Sequence, residues 1–413
     1  ISELIQIYVD PTNSIEIQKD AFTNINSLIK PKQKENATIS SSTSTDTNEV
    51  TCIEQLIPKL DNLLTSDVDK ERNRSTLLLS ELIHQTKNGE DIDSDSDIDM
   101  NCPKYLLNVK SIELFVVFFN NRLSDYPSII PSLYALIGLF EKHFRQVESD
   151  HDELISTCVI NTFKCIDSAL HVQGLAQSIR QKVYQLYTVI CNLIQYRIES
   201  TCKGGDKNNN KLYQQTKLYI NNTIIPCFCN AAEGEKDPRC LYLIMQTLSN
   251  YVYIYQEDIF VLSAGGDIGD IDGNATISVN SSVATIRESQ DGIDRLVERV
   301  YNLVACYFPI TFVPPPDDPF KISTQMLVDS LQSSLTSHAM LYKHTVPFLI
   351  DQITESYANI DDTDAVSTIS HALNCVLEIF NRQLTSNNPS LTPTATTTNA
   401  AQAQARTLLI EQL

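Results

Sequence analysis

The residue types best suited to chemistry in this chain are thiols, clustered carboxylates and isolated imidazoles. Cys227-Phe228-Cys229, with Cys240 following, offers soft donors of the kind that hold zinc or an iron–sulfur cluster. A structural zinc site wants paired C-x-x-C knuckles or Cys/His sets, and the nearest histidines in sequence are His171 and His338. The spacing therefore reads as core-filling thiols, with a cysteine-based metal or cluster carrier as the rival reading. Asp93-Ser94-Asp95-Ser96-Asp97 and Asp270-Ile271-Asp272-Gly273-Asn274 space their acidic residues as calcium loops do. Both lack the loop's glycine and closing glutamate: Ile98 and Lys104 stand there in the first, Ala275 and Ser281 in the second. His84, His143 and His371 fall in amphipathic stretches, at seam or surface positions. No Ser/His/Asp or Cys/His arrangement is recognisable, and Gly265-Gly266 leads into an acidic tract rather than a phosphate-binding helix start. The expectation is a protein that is not an enzyme and uses no metal or cofactor.

Two connectors remain as candidate protein-interaction sites. Glu235, Lys236, Asp237 and Arg239 gather charge at a helix entrance. On the local reading Asp237 caps a helix whose first residue is Pro238, and the other charges are solvated. On the sharper reading the ordered turn grips a partner. Pro314, Pro315, Pro316, Asp317 and Asp318 lie in a run from Pro309 to Pro319. Successive prolines forbid helix and hold an extended path, which makes either a stiff spacer or a docking ridge.

The elements that must position these connectors are helices. Apolar residues recur at steps of three and four in Ile155, Val159, Phe163, Ile166 and Leu170; in Val183, Leu186, Ile190 and Leu193; and in Ile293, Leu296, Val300 and Leu303. A fourth set runs Val366, Ile369, Leu373, Val376, Phe380 and Leu384. The pattern predicts helices over 14–30, 51–65, 69–87, 105–123, 126–147, 152–170, 173–198, 212–232, 238–257, 291–307, 323–341, 343–358 and 363–385. Asp237 and Ser323 are placed to cap two of them, and Asp125 with Pro127 marks a turn. Ile310 to Val313 is the best extended segment, bracketed by Pro309 and Pro314, and no sheet is expected.

A period of roughly 40 residues per helix pair points to an all-α, HEAT/armadillo-like α-solenoid of antiparallel helix pairs. It would occupy 1–385, with insertions too polar to bury anything at 31–50, 89–102, 199–211 and 264–290. Residues 386–413 read as a low-complexity linker and the start of a further helix. The composition is that of a soluble protein, and no apolar run reaches the roughly 18 residues a membrane span needs. The chain begins with Ile1, which predicts a start clipped from a longer protein rather than a secretory leader. A net charge of −20 repels phosphate backbones and favours protein partners over direct nucleic-acid binding. Eleven cysteines, an odd number lying mostly in apolar stretches, suit reduced thiols in a cytoplasmic or nuclear protein.

Four stretches carry a family likeness. Gly234-Glu235-Lys236-Asp237-Pro238-Arg239, the segment from Cys306 to Pro319, Glu71-Arg72-Asn73-Arg74-Ser75-Thr76-Leu77-Leu78-Leu79-Ser80, and Phe118-Phe119-Asn120-Asn121-Arg122-Leu123-Ser124-Asp125 together resemble the N-terminal part of the MMS-nineteen family. The likeness spans roughly residues 50 to 385, and this chain departs from it at Ser75, Cys240 and the inserted loops. The resemblance implies a HEAT-repeat scaffold of the cytosolic iron–sulfur protein assembly system. Such an adaptor works with partner targeting subunits to bring apo-proteins, notably DNA polymerases and helicases including that of TFIIH, to the assembly machinery. Links to DNA repair, transcription and genome stability would be indirect, through those clients. The family attributes docking of the other targeting subunits chiefly to C-terminal repeats, which this chain is expected to lack. A HEAT-repeat nuclear transport or coat adaptor shares the same fold and acidity and stands as the alternative.

Overall fold

Apolar residues at steps of three and four become the inner faces of helices. In the computed structural model, which describes residues 1–29, 53–85, 107–201, 207, 210–256, 258–261, 283–315, 320–358 and 362–385, there are fifteen α-helices and no β-strand among those residues. The fold divides after Tyr213 into two units. The first holds α1 (Ser2–Val9), α2 (Ile15–Leu28), α3 (Ile57–Leu64), α4 (Asp69–His84), α5 (Val109–Arg122), α6 (Ile129–Gly138), α7 (Asp152–Ala169) and α8 (Gln177–Thr201). Here α1 packs on α2, α3 on α4, α4 on α6, α5 on α7, and α6 on α8. After α9 (Lys211–Tyr219), the second unit holds α10 (Ile225–Ala232), α11 (Pro238–Ile254), α12 (Val283–Ala305), α13 (Thr324–Leu335), α14 (Tyr342–Tyr357) and α15 (Thr363–Thr385). In it α11 packs on α13, α10 on α12, and α14 on α15. Each unit is a stack of helix pairs of the HEAT/armadillo-like α-solenoid class.

Side-chain caps fix several helix starts. Ser14 accepts from the Ile17 amide, Asn108 from Ser111 at 2.9 Å, Asp237 from Arg239 and Cys240, and Ser323 from Met326 at 3.1 Å. The apolar sets in α7, α8 and α12 are buried as their spacing predicts. The set in α15 is not. Its core-facing line is Ala365, Thr368, Ala372, Cys375 and Ile379, whereas Val366, Leu373 and Leu377 are 51%, 52% and 58% exposed. The helix is apolar on two faces, so periodicity alone could not say which one meets α14.

Other sequence expectations are corrected. The insertion placed at 264–290 ends sooner, because α12 begins at Val283: no glycine or proline interrupts 283–290, and Ile286 stands seven residues before Ile293. The insertion at 199–211 is also too wide. α8 continues through Thr201, and buried Asn210 caps α9, its side-chain oxygen accepting from the Tyr213 amide at 2.8 Å. The helices expected over 126–147 and 212–232 are interrupted by π-helical turns at Leu139–His143 and Ile220–Ile224. Helix α1 has no counterpart in the sequence reading. The ranges 31–50, 89–102 and 386–413 and the loops Asp93–Asp97 and Asp270–Asn274 lie outside the described residues.

Candidate protein-interaction surface

The turn between α10 and α11 is built from its own backbone. Gly234 adopts φ +79°, a left-handed conformation that suits glycine. The chain then folds Glu235 inward until it is 1% exposed. Its carboxylate accepts from the Lys236 amide at 2.9 Å and the Asp237 amide at 3.0 Å. Asp237 in turn accepts from Arg239 at 3.0 Å and Cys240 at 3.3 Å, satisfying two orphan donors at the start of α11. Both acids are thus occupied internally, Lys236 is exposed, and half-buried Arg239 lies with its guanidinium 4.1 Å from the centre of the Phe320 ring.

The second connector docks on the first. Tyr307, at the end of α12, donates its hydroxyl to the Glu235 carbonyl at 2.5 Å, and burial pushes its pKa well up, which keeps the donor protonated. Beyond the cis Phe308–Pro309 bond, the Phe312 carbonyl accepts from Thr324 Oγ1 at 2.7 Å. Between these two anchors Thr311 is exposed; Phe312 itself is half-buried, and just beyond it Val313 is exposed, Pro314 half-buried and Pro315 exposed. Val313 is 83% exposed. Pro316, Asp317 and Asp318 lie outside the described residues. Beside the turn, a groove of about 400 Å³ is lined by Cys229, Glu233, Arg295, Arg299 and Cys306, among others. Arg299 crosses it to Asn230 at 2.6 Å and Glu233 at 3.1 Å. Arg299 and Phe320 lie outside every motif the sequence analysis quoted, and Tyr307 entered it only as part of the Cys306–Pro319 motif, with no role assigned. Their partners lie 66 to 81 positions away, beyond any local spacing signal.

The other two stretches of the family likeness meet in the first unit. Arg72 on α4 grips Asp125 through Nε at 3.2 Å and Nη2 at 3.1 Å, and Asn73 donates to the Pro127 carbonyl at 2.5 Å. Arg122 donates to the Leu64 carbonyl, and Ser128 to Asp125 at 2.6 Å. The Arg72 guanidinium bond is the main reason the Asp125 carboxyl sits below its usual pKa. Ser75, fully buried, turns its hydroxyl back onto the Glu71 carbonyl at 2.8 Å, which lets a small polar residue fill a tight seam.

The thiols among the described residues are not gathered around a common point. Among the described residues no group of three or more His, Cys, Asp or Glu side chains could hold an ion. Cys227, Cys229 and Cys240 are buried, and burial pushes the Cys229 thiol up to about 12. Cys158 and Cys375 are raised to about 12 by the same cause. Such groups stay protonated at neutral pH and are poor ligands and nucleophiles.

With the paired motifs in place, comparison with known proteins decides the family. The family model MMS19_N, described as "Dos2-interacting transcription regulator of RNA-Pol-II", matches residues 57–383. The chain belongs to the MMS19 family. The "MMS19 nucleotide excision repair protein homolog" of Danio rerio is 24% identical over 316 residues, which cover 76% of this chain and 23% of that protein. Its Xenopus laevis counterpart is 27% identical over 265 residues, 64% of this chain and 20% of the relative. The counterpart in Dictyostelium discoideum is 22% identical over 301 residues, 73% of this chain and 20% of the relative. The match thus spans less than a quarter of the length of these MMS19 relatives.

Proposed function

We propose that this chain acts as a non-catalytic, DNA-repair- and transcription-linked scaffold whose finer role is to recruit apo-proteins of DNA metabolism for iron–sulfur cluster insertion. The observation that carries the reading is the family match over residues 57–383. The iron–sulfur role is what the resemblance of the four motifs implies, with helicases, polymerases and TFIIH as clients. Partner targeting subunits would bind through further repeats, and the protein would work in cytoplasm and nucleus. Helix stacks suit such a task because they present long surfaces and need no reactive centre.

On this reading Lys236, Arg239, Phe320, Val313 and Pro315 form one docking region. Its two connectors are tied together by the Tyr307–Glu235 bond, which orders both before a partner arrives. Titrating the purified chain with the purified apo-form of an iron–sulfur DNA helicase tests the proposal. Binding is expected, and Lys236→Glu with Val313→Asp is expected to weaken it about tenfold or more, the loss of a modest hot spot. Binding to an import GTPase instead of the helicase would favour the nuclear-transport alternative and reject the proposal.

A further inference from the structure

The connector that leaves α12 carries the most exposed large apolar side chain among the described residues. Val313 is 83% exposed, in a segment where Phe312 and Pro314 are half-buried and Thr311 and Pro315 are exposed. The prolines dictate the shape of this segment. Pro314 and Pro315 hold φ near about −65°. Val313, Pro314 and Pro315 each precede a proline in the sequence, which keeps all three out of the helical region and in the extended one. Three such residues are one turn of polyproline II. The ridge is tied down just before it begins, by the Tyr307 hydroxyl on the Glu235 carbonyl and by Thr324 Oγ1 on the Phe312 carbonyl. Little order therefore remains to be lost when a partner arrives.

The backbone of this ridge is one-sided in its hydrogen-bonding capacity. Among the described residues, nothing bonds to the carbonyls of Val313, Pro314 and Pro315 or to the Val313 amide. Pro314 and Pro315 have no N–H, so three open acceptors stand against a single donor. An added β-strand needs donors and acceptors in alternation along the shared edge, and this ridge cannot supply them. A partner that fits must bring donors for the carbonyls and flat apolar surface for the Val313 side chain and the Pro315 ring. Tryptophan and tyrosine combine the two in one side chain, and grooves lined with such residues read polyproline II segments in this way.

We infer that the Thr311–Pro315 ridge docks in an aromatic-lined groove of a partner protein, of the chemistry that SH3, WW and EVH1 domains share. The inference rests on this connector being the contact proposed above, and it names what meets it. This chain contains no tryptophan, so tryptophan emission from a mixture reports the partner's groove alone. The test titrates purified SH3, WW and EVH1 domains, each with a tryptophan in its groove, with the full chain. At least one domain is expected to show a saturable change in emission that an oligoproline peptide reverses. Pro314→Ala with Pro315→Ala should weaken the binding about tenfold or more while deuterium uptake in α11, α12 and α13 stays unchanged. Val313→Asp, which keeps both prolines, should weaken it as well. No change with any of the three domain types, binding that these substitutions leave intact, or binding that oligoproline fails to displace would overturn the inference. The helicase titration separates this outcome from the functional reading. Helicase binding with silent domains would remove the groove and keep the client, whereas domain binding without helicase binding would keep the groove and remove the client.

Discussion

Gly138 at the end of α6 lies under the His84 ring: a Cβ built there would sit 2.7 Å from two of the imidazole's atoms. That ring is held between constraints, stacked on Tyr134 at 3.7 Å between centroids and joined by Nε2 to the Tyr134 carbonyl at 2.7 Å. Gly138→Ala therefore has no cheap relaxation and is expected to cost about 1–3 kcal/mol, read as a lower urea midpoint. The same seam sets a pH response. Burial, with the nearby cations Lys142 and Lys182, drives the His84 pKa down to about 4. An unfolded histidine takes up its proton near pH 6.5, so between pH 6.5 and about 4 the unfolded state binds more protons and stability falls as pH falls. The expected loss is about 1–2 kcal/mol, discounted for the ring's partial exposure. Urea midpoints at pH 7.5 and 4.5 should differ less in His84→Phe than in the unaltered protein. His338 shifts the same way, chiefly through burial, and its Nδ1 must stay unprotonated to accept from the Met340 amide at 3.1 Å.

At the scale of elements, the connectors between helix pairs are fixed by single buried polar groups. Asp152 at the start of α7 meets Arg197 of α8 at 2.9 Å, with the two side chains 2% and 7% exposed, and Arg197 also donates to the Val147 carbonyl at 2.6 Å. Arg197→Met would take away the guanidinium that pairs the buried Asp152 carboxylate, leaving it the Leu212 backbone hydrogen bond and the Lys211 charge, and is expected to cost about 3 kcal/mol, whereas adding Asp152→Leu should recover part of that loss. A double-mutant cycle in urea reads both. Glu235→Ala would orphan the Lys236 and Asp237 amides at the turn, at an expected cost of about 2–3 kcal/mol in thermal or urea unfolding. These elements also show how far the sequence can be read. Asp237 and Ser323 announce their helices because capping is a local act, and α15 runs over the predicted residues 363–385. The beginning of α12 is hidden because the polar run from Arg287 to Asp291, with Gly292 after it, separates its first turn from the apolar set that starts at Ile293. The docking of Tyr307 on Glu235, or of Arg72 on Asp125, is hidden because it joins residues 72 and 53 positions apart. Spacing reports which side of a helix is apolar; it does not report what that side will meet.

At the scale of the whole chain, stability in stacked helix pairs is local, since each pair is held chiefly by its neighbours rather than by one shared core. Each of the two units, Ile1–Tyr213 and Gln214–Leu413, has buried aromatic and aliphatic residues of its own, such as Phe140, Phe144 and Phe163 in the first and Phe228, Tyr251 and Tyr255 in the second. Damage should therefore stay where it is made. Gly138→Ala is expected to speed amide exchange in α4, α6 and α8 and to leave α11, α13 and α14 within about 0.5 kcal/mol of their original protection, with Glu235→Ala giving the converse pattern. Hydrogen–deuterium exchange resolved by peptide reads both variants in one experiment. Equal loss of protection across both units from either substitution would mean a single cooperative core, and the description of the chain as a sum of neighbouring seams would have to be abandoned.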